Sequence, residues 1–205
     1  MSIKVRRLGV NQLYESIVQA MRDFARARVA TTPDEIWLLE HSPVYSMGLN
    51  ADASHLLSPG EIPVVQSDRG GQVTYHGPGQ LVMYTLIDLS RYKLGVREYV
   101  HLLEQQVIDL LAEYGIAGER RESAPGVYVD GAKIASLGLK VRQGRCYHGL
   151  SLNVDMDLTP FSFINPCGYA GLRVCQLADF VPGVEVDSVA EMLSSSLIRS
   201  LEDQP

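Results

Sequence analysis

Three stretches of the chain carry apolar side chains at the three- and four-residue spacing of an amphipathic helix. They cover residues 11–30, 96–114 and 187–203. Pro33 follows the first stretch, and Gly115, a common residue at helix C-termini, follows the second. Ser188 and Glu191 open the third with the spacing of a capping box. The pattern therefore predicts three helices, each with one side buried against a core.

Short apolar runs between these helices predict strands. The runs are EIWLLEH, IPVVQSD and LVMYTLIDLS. The segment SPVYSMGLNADASHLL, which lies between the first and second run, is predicted to be a long loop. Further along, Asp130-Gly131 stands between two β-like runs and predicts a two-residue hairpin. A second hairpin is predicted at residues 143–145, leading into CYHGLSLNV.

The first hairpin fixes the expected position of Lys133. A two-residue turn pairs Val129 with Ala132 and Tyr128 with Lys133. Strict alternation then puts Lys133 on the apolar face of its strand, together with Ala135. Two interpretations remain open, a surface lysine on an irregular strand or a buried lysine. Burial lowers the pKa of a lysine from roughly 10.4 and makes it a candidate base near neutral pH.

Composition and charge limit the class of protein. The chain has 205 residues, is 46% hydrophobic and 20% charged, and suits one domain spanning residues 1–205. Its net charge of −6 disfavours general nucleic-acid binding. The sequence shows neither a membrane-spanning apolar run nor a signal peptide. Three irregularly spaced cysteines argue against a disulfide framework and favour the reducing cytoplasm.

The glycine-rich segment RGGQVTYHGPGQL, residues 69–81, is the strongest candidate for a binding site. Glycines let the backbone approach a ligand closely, and this segment also carries many hydrogen-bonding side chains. We interpret it as a rigid wall with a glycine-lined mouth. The alternative interpretation is a pair of ordinary turns, Gly70-Gly71 and Gly77-Pro78-Gly79.

Candidate nucleophiles and bases are few. Cys146 and Cys175 stand in apolar surroundings and are expected to be buried. Cys167, between a proline and a glycine, is the candidate nucleophile, because such a turn presents a side chain outward. His76 and His148 are either alternative bases or partners in structural hydrogen bonds. No paired-ligand spacing indicates a metal site, and no phosphate-binding or dinucleotide motif is present.

Five segments together resemble a known family. LLEHSPVYSMG, RGGQVTYHGPGQLVMYTLIDL, GAKIASLGLKV, YHGLSLNV and FSFINPCG resemble the bacterial octanoyltransferases, also called lipoyl(octanoyl) transferases, over residues 30–177. The resemblance implies an α+β fold with a mixed β-sheet core flanked by helices, as in the biotin and lipoate protein ligase catalytic domains. It also implies transfer of octanoyl from octanoyl–acyl carrier protein to a lysine of another protein.

The resemblance implies roles for particular residues. Cys167 is implied to form the acyl thioester, and Lys133 to lower the pKa of its thiol. The substrate-binding residues implied are Arg69, Gly70, Gly71, Gln72, Val73, Thr74, Tyr75, His76, Ser136, Leu137, Gly138, Gly149, Leu150 and Ser151. Cys175 is a departure, because members commonly have a hydroxyl residue there.

The implied partners are octanoyl–acyl carrier protein as donor, with lipoyl domains of 2-oxoacid dehydrogenase complexes and the glycine cleavage H protein as acceptors. The implied reaction needs no cofactor, ATP or metal. Because acyl carrier protein is acidic, Lys140, Arg142 and Arg145 on the second hairpin are expected to dock it. Two rival hypotheses are an ATP-dependent lipoate protein ligase and a non-catalytic acyl-binding module.

Overall fold

The structure is a computed structural model that describes residues 3–122 and 124–204, and at Cys167 the backbone alone. Its strands are β1 (Lys4–Gln12), β2 (Glu35–His41), β3 (Val44–Met47), β4 (Val64–Gln66), β5 (Val73–His76), β6 (Gln80–Leu86), β7 (Gly126–Val129), β8 (Ala132–Arg142) and β9 (Arg145–Asn153). Its α-helices are α1 (Tyr14–Ala27), α2 (Val96–Glu113) and α3 (Val186–Glu202). None of the described helices has both the length and the apolar character needed to cross a bilayer.

Six strands form the main sheet in the order β1-β2-β6-β9-β8-β7. The β1–β2 pair is parallel and the remaining neighbours are antiparallel, so the sheet is mixed. A smaller sheet has the order β4-β3-β5. With helices packed on the main sheet, the predicted α+β class and mixed sheet are confirmed.

Each face of the main sheet buries its own set of apolar side chains. In β2, Ile36 and Leu38 belong to the core cluster formed with α2 and α3. Trp37 and Leu39, which alternate with them, belong to the cluster formed with α1. Since successive strand residues point to opposite faces, a run buried on both faces reads as continuously apolar. This is why EIWLLEH was recognisable as a strand.

Several boundaries differ from the sequence predictions. The expected loop SPVYSMG contains β3, whose Tyr45 is fully buried opposite Tyr75 of β5. Helix α3 begins at Val186, so Ser188 lies inside it and the predicted capping box there is wrong. Strand β1 is largely exposed and lies at the edge of the main sheet, so its sequence lacks a buried alternating pattern.

A β-bulge in the first hairpin changes the predicted orientation of Lys133. The predicted register at the turn is correct, because Val129 pairs with Ala132 and Tyr128 pairs with Lys133. The register then shifts by one residue, since Val127 pairs with Ala135. Lys133 consequently lies on the face opposite Ala135, and the prediction from strict alternation is wrong. The extra residue at the bulge causes the change.

Candidate active site

One cavity of about 400 Å³ lies beside the glycine-rich segment. Backbone and side chains from both sheets, from the first turns of α1 and α2, and from neighbouring loops line it. The lining residues are Tyr14, Arg69, Gly70, Gly71, Gln72, Val73, Thr74, His76, Val82, Tyr84, Val96, Val100, Ala124, Pro125, Ser136, Leu137, Gly138, Leu139, His148, Gly149, Leu150, Ser151 and Tyr169. This set contains no carboxylate side chain, and much of it is apolar or glycine.

Three central strands contribute to the cavity through cross-strand rows. Ser151 of β9 pairs with Val82 of β6 on one side and with Ser136 of β8 on the other. The next row on the same face joins Tyr84, Gly149 and Gly138 in the same way. Residues paired across a sheet share a face, so these rows form a continuous surface of small side chains with Val82 and Tyr84 beside them.

Glycine at position 138 lets the glycine-rich segment approach the sheet. A Cβ there would lie 3.1 Å from the carbonyl oxygen of Gly70. The Gly70 N–H in turn donates to the carbonyl oxygen of Leu139 at 2.9 Å. The backbone of the segment is thereby held against β8, and a side chain at position 138 would push the segment away by a few tenths of an ångström.

Arg69 holds the glycine-rich segment in shape. Its guanidinium is buried and donates to the carbonyl and hydroxyl oxygens of Ser46 and to the carbonyl oxygens of Gly70 and Gln72. No described carboxylate lies within ion-pair distance of it. The side chain lines the cavity, but its donors are used by the protein itself. Arg69 is therefore a positioning residue for the wall.

Lys133 is almost completely buried, with 2% of its surface exposed. Its Nζ donates to the carbonyl oxygen of Pro125 at 2.9 Å and lies 5.3 Å from the ring centre of Tyr128. The close approach requires glycine at position 126, where a Cβ would lie 2.4 Å from Lys133 Cε. Of the two interpretations of this lysine, the buried one is therefore correct. Pro125 also lines the cavity, so the Lys133 Nζ lies beside it.

The turn that carries Cys167 contacts β5 of the glycine-rich wall. A short 3-10 helix, Pro166–Gly168, forms this turn. The turn is fastened by a bond from the N–H of Asn165 to the carbonyl oxygen of His55, at 2.8 Å. A Cβ at Gly168 would lie 3.4 Å from the Gln72 side chain, which lines the cavity. The Cys167 side chain lies outside the described residues.

The other two cysteines are buried, as predicted. Burial raises the pKa of the Cys146 thiol to about 12 and that of Cys175 to about 12. The Cys146 sulfur lies 3.5 Å from the carbonyl oxygen of Thr85, and the Cys175 sulfur lies 3.7 Å from that of Ala132. A thiol with such a pKa supplies almost no thiolate near neutral pH. Neither is a suitable nucleophile.

His76 is fully engaged in structural hydrogen bonds. Its Nδ1 lies 2.7 Å from Gln80 Oε1, and its Nε2 lies 3.2 Å from Ser46 Oγ. Because an amide oxygen only accepts, Nδ1 carries the hydrogen. Burial, followed by the charges of His41 and Arg69, lowers the pKa of His76 well below its ordinary value. The ring is therefore neutral near pH 7.

His148 differs, because one of its ring nitrogens has no described partner. Its Nε2 lies 2.9 Å from Asp68 Oδ1, whereas Nδ1 is buried without a hydrogen bond to any described residue. Burial lowers the pKa of His148, although the bond to Asp68 opposes this. Burial raises the pKa of Asp68, but hydrogen bonds from His148, Tyr147 and Arg22 outweigh it and leave the pKa well below its ordinary value.

The structure gathers most of the residues implied by the family resemblance. All the substrate-binding candidates except Tyr75 line the cavity. The Tyr75 ring instead packs against Tyr45 and Phe161, with ring centres 5.5 Å apart in both pairs. Sequence reasoning missed several lining residues, which are Tyr14, Val82, Tyr84, Val96, Val100, Ala124, Pro125, Leu139 and Tyr169. Val82, Tyr84 and Leu139 stand in segments that carry the family resemblance but were not singled out, and the others stand outside those segments.

The second hairpin does not offer three uncommitted cations. Arg145 pairs with Asp88 at 3.4 Å, and its Nη1 donates to the carbonyl oxygen of Arg28 at 3.2 Å. Arg142 is exposed and Lys140 is half-buried. Arg145 is therefore less suited to docking an acidic partner than the sequence prediction assumed, because its guanidinium is engaged within the protein.

A family model and the sequences of known proteins place this chain in the same family. Residues 13–198 match the family model described as the lipoyl protein ligase A/B catalytic domain. The octanoyltransferase of Pseudomonas entomophila is 58% identical over 198 residues, which are 97% of this chain and 92% of that protein. The octanoyltransferase of Dechloromonas aromatica is 58% identical over 200 residues, 98% and 97% of the two chains.

The fold is also similar to that of solved structures. One is the bipartite lipoate protein ligase of Thermoplasma acidophilum, solved in a study of that ligase and its E2 lipoyl domain. The TM-score is 0.74 and the identity 17%, with 98% of this chain and 85% of that chain covered. At this level of identity the comparison concerns the fold alone.

Proposed function

We propose that this protein moves octanoyl from octanoyl–acyl carrier protein to the lysine of a lipoyl domain. The chain belongs to the lipoyl protein ligase A/B catalytic-domain family and to its octanoyltransferases, and the proposal follows from that membership. The reaction passes through an acyl thioester on Cys167, with Lys133 as the proton carrier. Acceptors are lipoyl domains of 2-oxoacid dehydrogenase complexes and the glycine cleavage H protein.

The observation that carries this proposal is the backbone connection between Lys133 and the chain that follows Cys167. The N–H of Lys133 donates to the carbonyl oxygen of Arg173 at 2.8 Å, and its carbonyl accepts from the N–H of Cys175 at 3.0 Å. Only five residues lie between Cys167 and Arg173, so these two backbone bonds tie the cysteine turn to the strand that bears the lysine. Both lie beside a cavity without carboxylates.

Acylation of the enzyme is the first half-reaction. Cys167 gives its proton to Lys133 and attacks the donor thioester as a thiolate. A carbon–sulfur bond to Cys167 forms, and the carbon–sulfur bond of the donor breaks. The departing thiolate of the carrier takes the proton back from Lys133, so the carrier leaves as a free thiol.

Transfer to the acceptor is the second half-reaction. The neutral amine of the acceptor lysine attacks the acyl carbon, which forms the amide bond and breaks the bond to Cys167. The proton lost by the amine passes through Lys133 to the Cys167 sulfur, which restores the starting enzyme. Because an amide is more stable than a thioester, the reaction needs no energy input beyond the donor bond.

The cavity suits the acyl chain. Each methylene removed from water contributes about 0.8 kcal/mol. The small side chains of the two cross-strand rows leave space for a chain on the sheet face that Lys133 shares. The absence of a carboxylate from the lining also suits an uncharged acyl group.

A transfer assay tests the proposal. Purified enzyme, octanoyl–acyl carrier protein and an unmodified lipoyl domain are combined without ATP, and the mass of the lipoyl domain is followed. We expect octanoylation of one lysine by the unaltered enzyme, and none by Cys167→Ser or Lys133→Met. A lipoyl domain that becomes modified only with octanoate and ATP would identify the protein as a ligase instead. A lipoyl domain modified under neither condition would indicate an acyl-binding module.

A further inference from the structure

Two arginines lie on either side of the turn between β7 and β8. Arg121 Nη2 donates to the carbonyl oxygen of Gly131 at 3.1 Å, and Arg173 Nη2 donates to that of Asp130 at 2.8 Å. A Cβ on Gly131 would lie 3.1 Å from the first Nη2 and 3.7 Å from the second. The guanidinium groups thus converge on a single glycine. We call Arg121 and Arg173 the arginine pair.

The arginine pair forms no ion pair with the described part of the chain. Neither guanidinium lies within ion-pair distance of a carboxylate on any residue that the structure describes. The adjacent acids Glu122 and Asp130 are exposed and contribute no such contact. By contrast, neighbouring Arg120 is paired with the buried Glu104 at 3.2 Å. Other exposed arginines, such as Arg142, also form no ion pair, but the arginine pair is distinguished by the convergence of two guanidinium groups on one turn.

The arginine pair lies next to Lys133. The ring of Tyr128 has Arg121 Cζ at 4.3 Å and Lys133 Nζ at 5.3 Å from its centre, so one ring lies beside both basic side chains. Arg173 is connected to Lys133 through the backbone bond described above. The pair also lines a surface depression that shares Ala124 and Tyr169 with the main cavity. The two guanidinium groups are therefore at the edge of the candidate active site.

We propose that the arginine pair recognises carboxylate side chains that flank the target lysine of the acceptor protein. The inference rests on the proposed function and adds to it the chemistry by which the acceptor is selected. A lysine side chain spans roughly 6 Å from Cα to Nζ. When its amine reaches an acyl group beside Lys133, the acceptor backbone lies over the surface immediately around that point. Side chains next to the target lysine then face the arginine pair.

The acyl donor fits this position less well. A carrier protein presents its thioester on an extended arm of roughly 18 Å, judged from ordinary bond lengths. The phosphate and the body of the carrier thus contact a more distant surface than the one bearing the arginine pair. Guanidinium groups bind carboxylates in a planar, two-point arrangement, which suits acidic side chains on a protein loop.

The test separates the two half-reactions. Enzyme acylated in advance is mixed rapidly with a lipoyl domain, and the rate of octanoyl transfer is measured. Charge reversal in Arg121→Glu/Arg173→Glu is expected to lower the second-order rate constant for transfer at least tenfold. A higher salt concentration should reduce the difference in this rate constant between the variant and the unaltered enzyme. The rate of acylation by octanoyl–acyl carrier protein, and the rate of aminolysis by N-acetyl-lysine methylamide, should stay within about twofold.

Matched variants guard against a general loss of structure. The neutral variant Arg121→Gln/Arg173→Gln should show a smaller effect in the same direction. Arg26→Glu/Arg199→Glu, which places the same two charge reversals on exposed residues of α1 and α3, should leave transfer unchanged. On the acceptor side, converting the carboxylates that flank the target lysine to amides should cause no further loss in the charge-reversed enzyme.

Three outcomes would overturn the inference. They are a loss confined to acylation by the carrier protein, an equal loss with N-acetyl-lysine methylamide, or unchanged transfer to the lipoyl domain. A separate titration of an isotope-labelled lipoyl domain with unacylated enzyme, followed by NMR, should show weaker binding to the charge-reversed variant. If the unaltered enzyme forms no acyl adduct while this binding difference persists, the proposed function fails but the recognition surface stands.

Discussion

Lys133 and Ser136 lie on the same face of one strand although they are three residues apart. The register shift between Val127 and Tyr128 produces this arrangement, because it places one extra residue in β8. Regular alternation would have directed Lys133 into the core that α2 and α3 cover, together with Ala135. The bulge instead brings the Lys133 side chain to the face that lines the cavity. The candidate chemistry therefore depends on an irregularity in the sheet.

Replacing Gly126 by alanine tests this placement of Lys133. A Cβ at position 126 would lie 2.4 Å from Lys133 Cε and 2.6 Å from the carbonyl oxygen of Ala135, so both the lysine side chain and the adjoining backbone of β8 must move. A displacement of about 1 Å in a catalytic group costs roughly 100-fold in rate. We therefore expect kcat/KM for octanoyl transfer to fall by about that factor in Gly126→Ala while the protein remains folded.

Gly183→Ala is the matched control for this substitution. Gly183 also has a positive φ, of 74°, but a Cβ there would meet no atom within 4 Å. Both substitutions strain the backbone, whereas only the first displaces Lys133. Equal activity losses in the two variants would mean that backbone strain, and not the position of Lys133, limits the rate.

Arg69 is expected to matter for stability more than for chemistry. Its buried guanidinium donates to the carbonyl oxygens of Ser46, Gly70 and Gln72, and Arg69→Met would remove all three bonds, although the Gln72 oxygen would keep the bond from the Gly48 N–H. Unpaired buried polar groups cost about 1–3 kcal/mol each, so we expect a loss of about 3 kcal/mol in the free energy of unfolding. Urea denaturation measures this loss. Arg26→Gln, on the exposed side of α1, should change it by less than about 0.5 kcal/mol.

The sequence predicts those features of the fold that depend on neighbouring residues, and it predicts poorly those that depend on contacts between distant segments. The local signals in EIWLLEH and at Asp130-Gly131 predicted a strand and a hairpin register that the structure confirms. The prediction that Lys133 and Ala135 share a face of the strand is wrong, because an alternating pattern does not show where a bulge lies. Strand β3 was missed for a related reason, since Tyr45 is buried by its partner Tyr75 and not by a periodic pattern of its own.

The residues that line the cavity also fall into two groups, those recognisable from a local sequence pattern and those brought there by contacts between distant segments. The glycine-rich segment is recognisable from its composition, and residues 69–74 and 76 of it line the cavity. Tyr14 and Tyr84 come from a helix and a strand that look like ordinary core elements in the sequence. Only the packing of α1 on the sheet and the pairing of β6 with β9 bring them to the cavity. Pairings between distant segments are not encoded in any local motif.

Buried histidines should make the protein sensitive to mild acid. Burial lowers the pKa of His41 to about 4, while its Nδ1 donates to the carbonyl oxygen of Gln12 and its Nε2 accepts from the Tyr84 hydroxyl. The unfolded chain, with a histidine pKa of about 6.5, binds the proton more readily than the folded one. The stability contributed by the neutral ring is therefore complete above pH 6.5 and is lost as the pH falls towards 4.

Urea denaturation at two pH values measures this effect. Between pH 7.5 and pH 5 we expect His41 to account for about 2 kcal/mol of the decrease in the free energy of unfolding. His41→Gln should lose that part of the pH dependence, whatever its stability at pH 7.5. An identical pH dependence in the variant and the unaltered protein would contradict the assignment.

Thiol alkylation should distinguish the cysteines. Cys146 and Cys175 are buried, with pKa values raised to about 12, so iodoacetamide at pH 7 should react slowly with both. We expect one cysteine, Cys167, to be modified first, with loss of activity in step with its modification. Cys175→Ala should retain the transfer rate within about twofold. Faster modification of Cys146 or Cys175 than of Cys167 would remove the reason for assigning the nucleophile to position 167.

The central claim is that the acyl group is held covalently by Cys167 while Lys133 moves the proton. Rapid-quench mass spectrometry of the enzyme mixed with octanoyl–acyl carrier protein, followed by peptide mapping, measures it most directly. We predict a transient octanoyl adduct on Cys167 that a lipoyl domain discharges, no adduct in Cys167→Ser, and at least 100-fold slower formation in Lys133→Met. Octanoyl transfer at an unchanged rate without any adduct on Cys167 would contradict the account.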